Sequence, residues 1–443
     1  TPGGLPTVVG LPRPRPDGPH RPLWAKTAEG IHHVTLPTGT STLVYAFDFP
    51  GYLPNEAGHG VGTAFVNVAG DHYYAFCDGY HGYLLYSEKA DSWTRITQGS
   101  TPGTQIQASA NSQAVGLSCD PARFRYVVQW KSRLWFVEEA STIAWYMDVG
   151  AFAGDANHIP FAPRFKSGGE LVGLWAWTVD GGTGIDDHLV GISSGGDVVI
   201  YAGTDPSIPG AFLLRGVWWV GRPPPGRHIA STFGGDLFIL SVVGCTPLSK
   251  LVAGAVLQDP SIASSLKVAN LFNRLMTERS EYQNWAVEIH PTDNTMVVNV
   301  PPRPGEDGLQ MVMSLANQGW SQHYGVPMQC METWRNKLYF GTVDGRVCVN
   351  EGTIDNLPRD HAHPEGTVAV PINWGLQTAF QDVGTPDKKR IHMVRPYFVT
   401  DGTPPGLHVS ARTDFNLSDI SLETLSQRNI PDAWDVALWD QGV

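Results

Sequence analysis

The sequence predicts an all-β fold: a six-bladed β-propeller-like repeat with one inter-blade helix and a C-terminal β extension. Three observations lead there. A strand, tight glycine turn, strand pattern recurs along the chain. Glycine and proline are abundant, at 49 and 34 of 443 residues. Charged residues make up only 16%, against 42% hydrophobic. The pattern is cleanest at 188–203, HLVGISSGGDVVIYAG, and returns at 337–352, KLYFGTVDGRVCVNEG. Aligning Leu189 with Leu338 lays Gly196 on Gly345, Val198 on Val347 and Gly203 on Gly352. Apolar residues crowd both arms, and Asp344-Gly345 offers the positive-φ positions that a two-residue hairpin turn requires.

Further copies follow from the same template. Their openings lie near residues 72, 134, 189, 237, 296 and 338, a period of roughly 50 residues, in the range of kelch-like blades. The repeat turn positions are Gly79, Ser141, Gly196, Gly244 and Gly345. In the copy near 296 the turn is swollen into Pro301–Gly308. A hairpin with one apolar face cannot bury it alone, so the copies must pack on one another, and radial closure is the favoured solution.

Taken in order, residues 1–40 form a Pro-rich N-terminal arm, with Pro12-Arg-Pro-Arg-Pro16 near its middle. Proline withholds ladder donors, so the arm is expected to be extended. Residues 41–360 hold the blades. Strands are expected at Thr42–Phe47 and Thr63–Val68, with a loop at Gly51–Gly62 and a long excursion over Gln98–Asp120. The aromatic run from Phe124 to Tyr146 reads as core or blade-to-blade packing. The one convincing helix spans Asp259–Arg279, with Asp259 as N-cap, Pro260 as first helical residue, and Phe272 and Met276 on its apolar face. Residues 361–443 form a C-terminal β segment and tail. Its strands at Ile391–Val399 and Leu407–Thr413 either pair with the strand at 42–47 and close the ring or build a separate platform. Phe272, Met276, Trp434 and Trp439 are the candidate subunit contacts.

Charge and cysteine content bound the function. A net charge of −12 argues against a conventional nucleic-acid binder with a basic footprint. The five cysteines are scattered and lack a C-x-x-C pair, so buried free thiols and a reducing compartment during folding are expected. No apolar run approaches a membrane span, and residues 1–40 show no secretion-signal pattern.

The chemistry-bearing motifs are weak. Gly191-Ile-Ser-Ser-Gly195 matches the G-x-S-x-G elbow in letters, but a strand follows where the elbow needs a helix, so Ser193 is expected to be chemically ordinary. Ser264-Ser-Leu-Lys267 matches S-x-x-K without its companion motifs. The loop Asp180–Asp187 is a weak metal candidate through Asp180, Asp186 and Asp187, because calcium takes oxygen ligands from flexible loops. His32-His33 and His361-Ala-His363 have no ligand partner at a recognised spacing and read as solvated loops. No catalytic residue, cofactor or firm metal site is expected, and the protein is read as not an enzyme.

A resemblance sharpens this reading. It is carried by Lys131-Ser-Arg-Leu-Trp-Phe-Val137, Ala144-Trp-Tyr146, Trp177-Thr-Val-Asp-Gly-Gly182, Asp186-Asp-His-Leu-Val190 and Tyr201-Ala-Gly-Thr-Asp-Pro206, then Val220-Gly-Arg222, Gly234-Gly-Asp-Leu237 and Thr246-Pro-Leu-Ser249. In these words, and again at Met393-Val-Arg-Pro-Tyr397, the chain resembles the tail nozzle, or hub, proteins of short-tailed bacteriophages, also called packaged-DNA stabilisation proteins. The resemblance implies a structural virion protein, assembled in the host bacterial cytoplasm as a homo-hexameric ring of β-propeller subunits. The ring would lie below the portal and adaptor ring, meet tail needle, plug, fibre or spike proteins, and extend the DNA channel. It would retain the packaged genome and let it out at infection, with duplex DNA passing through without sequence-specific binding. Two rivals remain at this stage: a carbohydrate-binding or glycan-cleaving propeller, and a monomeric protein-interaction propeller.

Overall fold

A computed structural model describes residues 23–35, 40–49, 60–180, 185–254, 265, 268–303, 306, 308–342, 345–351, 355–357, 368–370 and 374–376. The chain divides into two compact units, Thr1–Gly352 and Thr353–Val443. Among the described residues of both, the regular structure is mostly β.

The first unit is a succession of antiparallel meanders. The first comprises β1 (Leu23–Lys26), β2 (Gly30–Thr35) and β3 (Thr40–Ala46). The second comprises β4 (Val61–Val66), β5 (His72–Cys77), β6 (Tyr83–Ser87) and β7 (Ser92–Gln98). A short strand β8 (Gln105–Ala108) follows. The third meander comprises β9 (Phe124–Trp130), β10 (Arg133–Glu138), β11 (Ile143–Tyr146) and β12 (Gly154–Pro160). β8 lies parallel to both β7 and β12 and fuses the second and third meanders into one nine-stranded sheet.

The fourth meander is β13 (Leu171–Asp180), β14 (Ile185–Ser193), β15 (Asp197–Gly203) and β16 (Phe212–Trp219). The fifth is β17 (Ala230–Phe233), β18 (Asp236–Ser241) and β19 (Gly244–Pro247). The sixth is β20 (Ala286–His290), β21 (Thr295–Val300), β22 (Leu309–Ser314) and β23 (Trp320–Tyr324). The seventh is β24 (Met328–Trp334), β25 (Lys337–Thr342) and β26 (Val347–Asn350). The described part of the second unit is one hairpin, β27 (Asp355–Leu357) with β28 (Val368–Val370).

Each of the six sequence openings lies on or beside the second strand of a separate meander: β5, β10, β14, β18, β21 and β25. The turn positions fall between second and third strands, except Gly244, which opens the third strand β19. Gly79, Gly196, Gly244 and Gly345 all have positive φ, at 77°, 94°, 122° and 82°. At Ser141 the left-handed residue is its neighbour Ala140, at φ 52°, while the Ser141 hydroxyl accepts a hydrogen bond from the Ile143 N–H at 3.1 Å. Three of the links from first to second strand, β9 to β10, β17 to β18 and β24 to β25, are two-residue turns. Lys131-Ser132, Gly234-Gly235 and Arg335-Asn336 have both φ angles positive, as the type I′ hairpin demands.

Apolar clusters join these meanders in chain order. Trp24, Ile31 and Phe47 of the first pack on Tyr74, Phe76, Leu84 and Trp93 of the second. Cys77 and Tyr83 of the second meet Phe124 and Phe136 of the third. One large core runs from Trp130 and Trp135 through Leu189 and Val199 to Ile229 and Leu237, joining third, fourth and fifth. Leu240 and Cys245 meet Met296 and Met311 of the sixth, and Ala286 and Val297 meet Met328 and Leu338 of the seventh. Leu23, Ala25 and Val34 then pack on Cys330, Trp334 and Tyr339, so the seventh returns to the first and the circuit closes. Strand alternation makes this possible: along β1, odd residues face the seventh meander and even ones the second.

Four expectations change. The repeat pattern predicts six units, whereas seven meanders are described, because the first, β1–β3, carries none of the six openings. The arm does not lie wholly outside the ladder, because Leu23–Thr35 supplies two paired strands of the first meander; its apolar pattern outweighs the neighbouring prolines. Residues 1–22 lie outside the described residues. The helix is described as α3, Ala269–Glu278, after two short helices, α1 (Ala110–Ala114) and α2 (Leu248–Val252), that no amphipathic pattern announced. Asp259 and residues 260–264 lie outside the described residues. The excursion at Gln98–Asp120 is structured by β8 and α1 rather than plain loop.

Candidate functional site

The densest polar constellation lies where the first meander meets the second. β1 ends at Lys26, whose ammonium sits 2.5 Å from Asp78 Oδ2, both side chains having no solvent exposure. Asp78 follows β5 and opens the turn into β6. Its Oδ1 accepts from the backbone N–H groups of Tyr80, His81 and Gly82 at 2.9, 2.7 and 3.1 Å. His81 Nδ1 lies 2.7 Å from Asp78 Oδ2, and its Nε2 lies 3.2 Å from the Phe49 carbonyl oxygen. Burial alone raises a carboxyl group, but the Lys26 charge, His81 and these hydrogen bonds together hold Asp78 well below the usual carboxylate range.

From this pair a stack runs outward. The Phe47 ring lies 3.6 Å from His81 and stacked on it, and His81 in turn stacks with Phe49 at 5.2 Å. The Arg95 guanidinium covers Phe49 at 5.0 Å, and Asp48 sits 3.7 Å from Arg95. Phe47 and Phe49 follow β3, whereas His81 and Arg95 belong to the second meander. The two meanders therefore interdigitate rung by rung. The Phe-Asp-Phe alternation at 47–49 places both rings on the seam and the carboxylate outside, as extended chain dictates.

A second group links meanders that are not neighbours in the chain. Arg227 lies in the approach to β17, after Pro223-Pro-Pro-Gly226. Its Nη1 donates to the carbonyls of Asp78 and Arg125 at 2.8 and 3.2 Å. His228 Nε2 lies 3.1 Å from the Gly60 carbonyl oxygen, and the Val287 N–H donates to the His228 carbonyl at 2.8 Å. Burial pushes the His228 imidazole below its ordinary value. In a circuit of seven, the fifth meander can reach the second only across the interior. Arg227 and His228 thus tie the approach to the fifth meander to the second, third and sixth. Arg125, beside them, donates to Glu170 at 2.8 Å and carries the network to the approach to β13.

The sequence-derived candidates are not brought together here. Asp187 is occupied: Lys131 Nζ donates to its Oδ2 at 2.8 Å and Thr178 Oγ1 to its Oδ1 at 2.7 Å. These bonds hold its carboxyl below the usual range, burial acting against them. The side chains of Asp180 and Asp186 lie outside the described residues, and among the described residues no group of three His, Cys, Asp or Glu converges as a metal cage would. Ser193 is fully buried at the end of β14, where its Oγ accepts from the Asp197 N–H at 3.0 Å. His32 is corrected from a solvated loop to a strand residue, 5% exposed and 3.1 Å from Thr27 Oγ1. Phe272 and Met276 are corrected as subunit contacts. Both are buried inside the chain, against Leu240, Trp285 and Met311, because the apolar face of α3 covers the fifth and sixth meanders. Trp434, Trp439, His361 and His363 lie outside the described residues.

Lys26, Asp78, His81 and Arg227 were not singled out from the sequence. The available signals were slight: a lysine ending the apolar run Leu23-Trp-Ala-Lys26, an Asp-Gly turn, and a Pro-Pro-Pro-Gly-Arg segment too rigid for an ordinary loop.

No family model and no curated protein matches the chain. Among solved structures it is similar to the extracellular domain of a hybrid two-component system from B. thetaiotaomicron, at 12% identity and TM-score 0.43, covering 80% of this chain and 41% of that one. It is also similar to PorZ, a surface component of the type-IX secretion system of Porphyromonas gingivalis, at 10% identity and TM-score 0.41, covering 84% and 39%. A computationally designed protein matches at 9% identity and TM-score 0.36, covering 79% and 97%. The chain spans about two fifths of the length of the first two structures.

Proposed function

We propose that the first unit is a seven-bladed β-propeller and that the chain is a non-catalytic structural subunit, the tail nozzle or hub of a short-tailed bacteriophage. Six copies form a closed ring in the virion tail, below the portal and adaptor, and meet needle, plug, fibre or spike proteins. The ring retains the packaged genome and releases it at infection. The observation that carries this reading is the order of the words shared with that family. From Lys131 to Ser249 they fall in sequence on three consecutive meanders, the third to the fifth.

Two features of the unit support the reading. Its densest polar constellation is spent on holding meanders together, Lys26 and Asp78 having no exposure to offer a substrate. The edge strand of its fourth meander, β16, carries one charge, Arg215, and is otherwise apolar, with Leu213, Leu214 and Trp219 exposed by 59%, 37% and 46%. β16 replaces α3 as the proposed contact with a neighbouring copy. Duplex DNA is assigned to the channel between copies. Acidic subunits around it would let DNA slide without gripping it.

The test is electron microscopy of the purified full chain, alone and with the adaptor ring. A closed ring of six with a central opening wider than duplex DNA supports the proposal. A monomer in both conditions, or tight sequence-specific DNA binding, removes it.

A further inference from the structure

We propose that the closed circuit opens at one seam, between β24–β26 and β1–β3, and that this opening uncovers the thiol of Cys330 while β1–β3 stays seated on β4–β7. The inference stands apart from the phage assignment and concerns the fold alone.

The circuit has seven junctions among the described residues. Six join meanders that follow one another in the chain, so a connecting segment tethers them. The seventh joins the last meander to the first, and there side chains carry the contact: Leu23, Ala25 and Val34 on one side, Cys330, Trp334 and Tyr339 on the other, with Val347 at the margin. Ala25 and Cys330 are small, so large rings are few at this seam.

The opposite face of the same sheet is pinned far more heavily. Trp24 sits in an aromatic hole, 4.6 Å from Tyr86, 4.9 Å from Trp93 and 5.8 Å from Tyr74. Lys26 is paired with Asp78, and Phe47 and Phe49 alternate with His81 and Arg95. Moving the sheet off the second meander would strand a buried carboxylate; moving it off the seventh parts the cluster of Leu23, Ala25, Val34, Cys330, Trp334 and Tyr339, which is mainly apolar. Sub-global opening follows the route that breaks the fewest stabilising contacts. That route is the seam with β24–β26.

The chain carries its own reporters. Cys77, Cys119 and Cys245 are buried at other junctions, exposed by 0%, 1% and 0%, and Cys330 lies on the seam at 4%. Cys348 is partly exposed. In the closed circuit burial pushes the Cys330 thiol up to about 12 and leaves it unreactive.

The experiment follows N-ethylmaleimide labelling of each cysteine in the native full chain by mass spectrometry, with hydrogen exchange in parallel. Cys348 should react first. Cys330 should follow about tenfold or more faster than Cys77, Cys119 and Cys245. The β2 amides should stay protected on the timescale of Cys330 labelling. Leu23→Ala, or Val34→Ala if that chain folds poorly, should accelerate Cys330 about tenfold and leave Cys245 unchanged. Cys330 reacting no faster than Cys245 in the wild-type chain would overturn the proposal, since only global unfolding would then expose it. So would β2 amides exchanging in step with Cys330, which would mean that the sheet leaves both neighbours.

Discussion

Replacing Asp78 with Asn strikes the seam between the first two meanders at its buried charge. The substitution keeps Oδ1, so the three backbone N–H groups of Tyr80, His81 and Gly82 retain an acceptor. It replaces Oδ2 by an amide group that meets Lys26 and His81 with a donor where both need an acceptor. Lys26, fully buried, then faces a neutral donor in place of the carboxylate that pairs with it. Removing one partner of a buried ion pair costs about 3–5 kcal/mol, because the remaining charge keeps its desolvation penalty. Asp78→Asn should therefore lower stability by about 3–5 kcal/mol in urea unfolding at pH 7, and Lys26→Met by a comparable amount. The double variant should recover much of that loss, since an uncharged pair owes little desolvation. A loss below about 1 kcal/mol for Asp78→Asn, as expected of a surface pair, would refute the assignment of Lys26 and Asp78 as the anchor of the seam.

Other outcomes follow from the same geometry. The depressed Asp78 carboxyl contributes stability that is fully present above the ordinary carboxylate value near ~4. That contribution should be lost progressively as pH falls from there toward the lower folded value, and acid titration of wild type against Asp78→Asn should show the difference. Gly196→Val should destabilise by at least ~2 kcal/mol, because φ is 94° and a Cβ there would lie 2.4 Å from the Gly221 carbonyl oxygen. The same change at Gly70, where a Cβ meets nothing within 4 Å, should cost less on thermal unfolding. Trp24→Ala should cost about 3–5 kcal/mol by emptying the hole between Tyr74, Tyr86 and Trp93. Ser193 should resist fluorophosphonate labelling in the folded chain, and labelling there would contradict its place beneath the β14–β15 turn.

The repeat was legible because its signals are local. A tight turn needs positive-φ residues, and the glycines at 79, 196, 244 and 345 advertise them in one dimension. The apolar strand after each turn then fixes the register. The first meander escaped because its strands β1 and β2 are bracketed by prolines and glycines, and because Lys26 interrupts the apolar run. Its burial makes sense only once Asp78, 52 positions later in the chain, is its partner. The same holds for Arg227, whose acceptors are backbone carbonyls at 78 and 125 and so leave no trace in residue type. The helix was visible, but its partner was not. An amphipathic face says that something covers it, and the pattern cannot distinguish the chain's own sixth meander from a second subunit.

The functional account stands or falls on assembly. Mass photometry of the full chain at physiological salt, with and without the adaptor ring, is the direct measurement. The account predicts a species near six times the 48.2 kDa of one chain, weakened by a charge at Leu213 or Trp219 on β16. A single-chain mass in both conditions, unaffected by those substitutions, would contradict it.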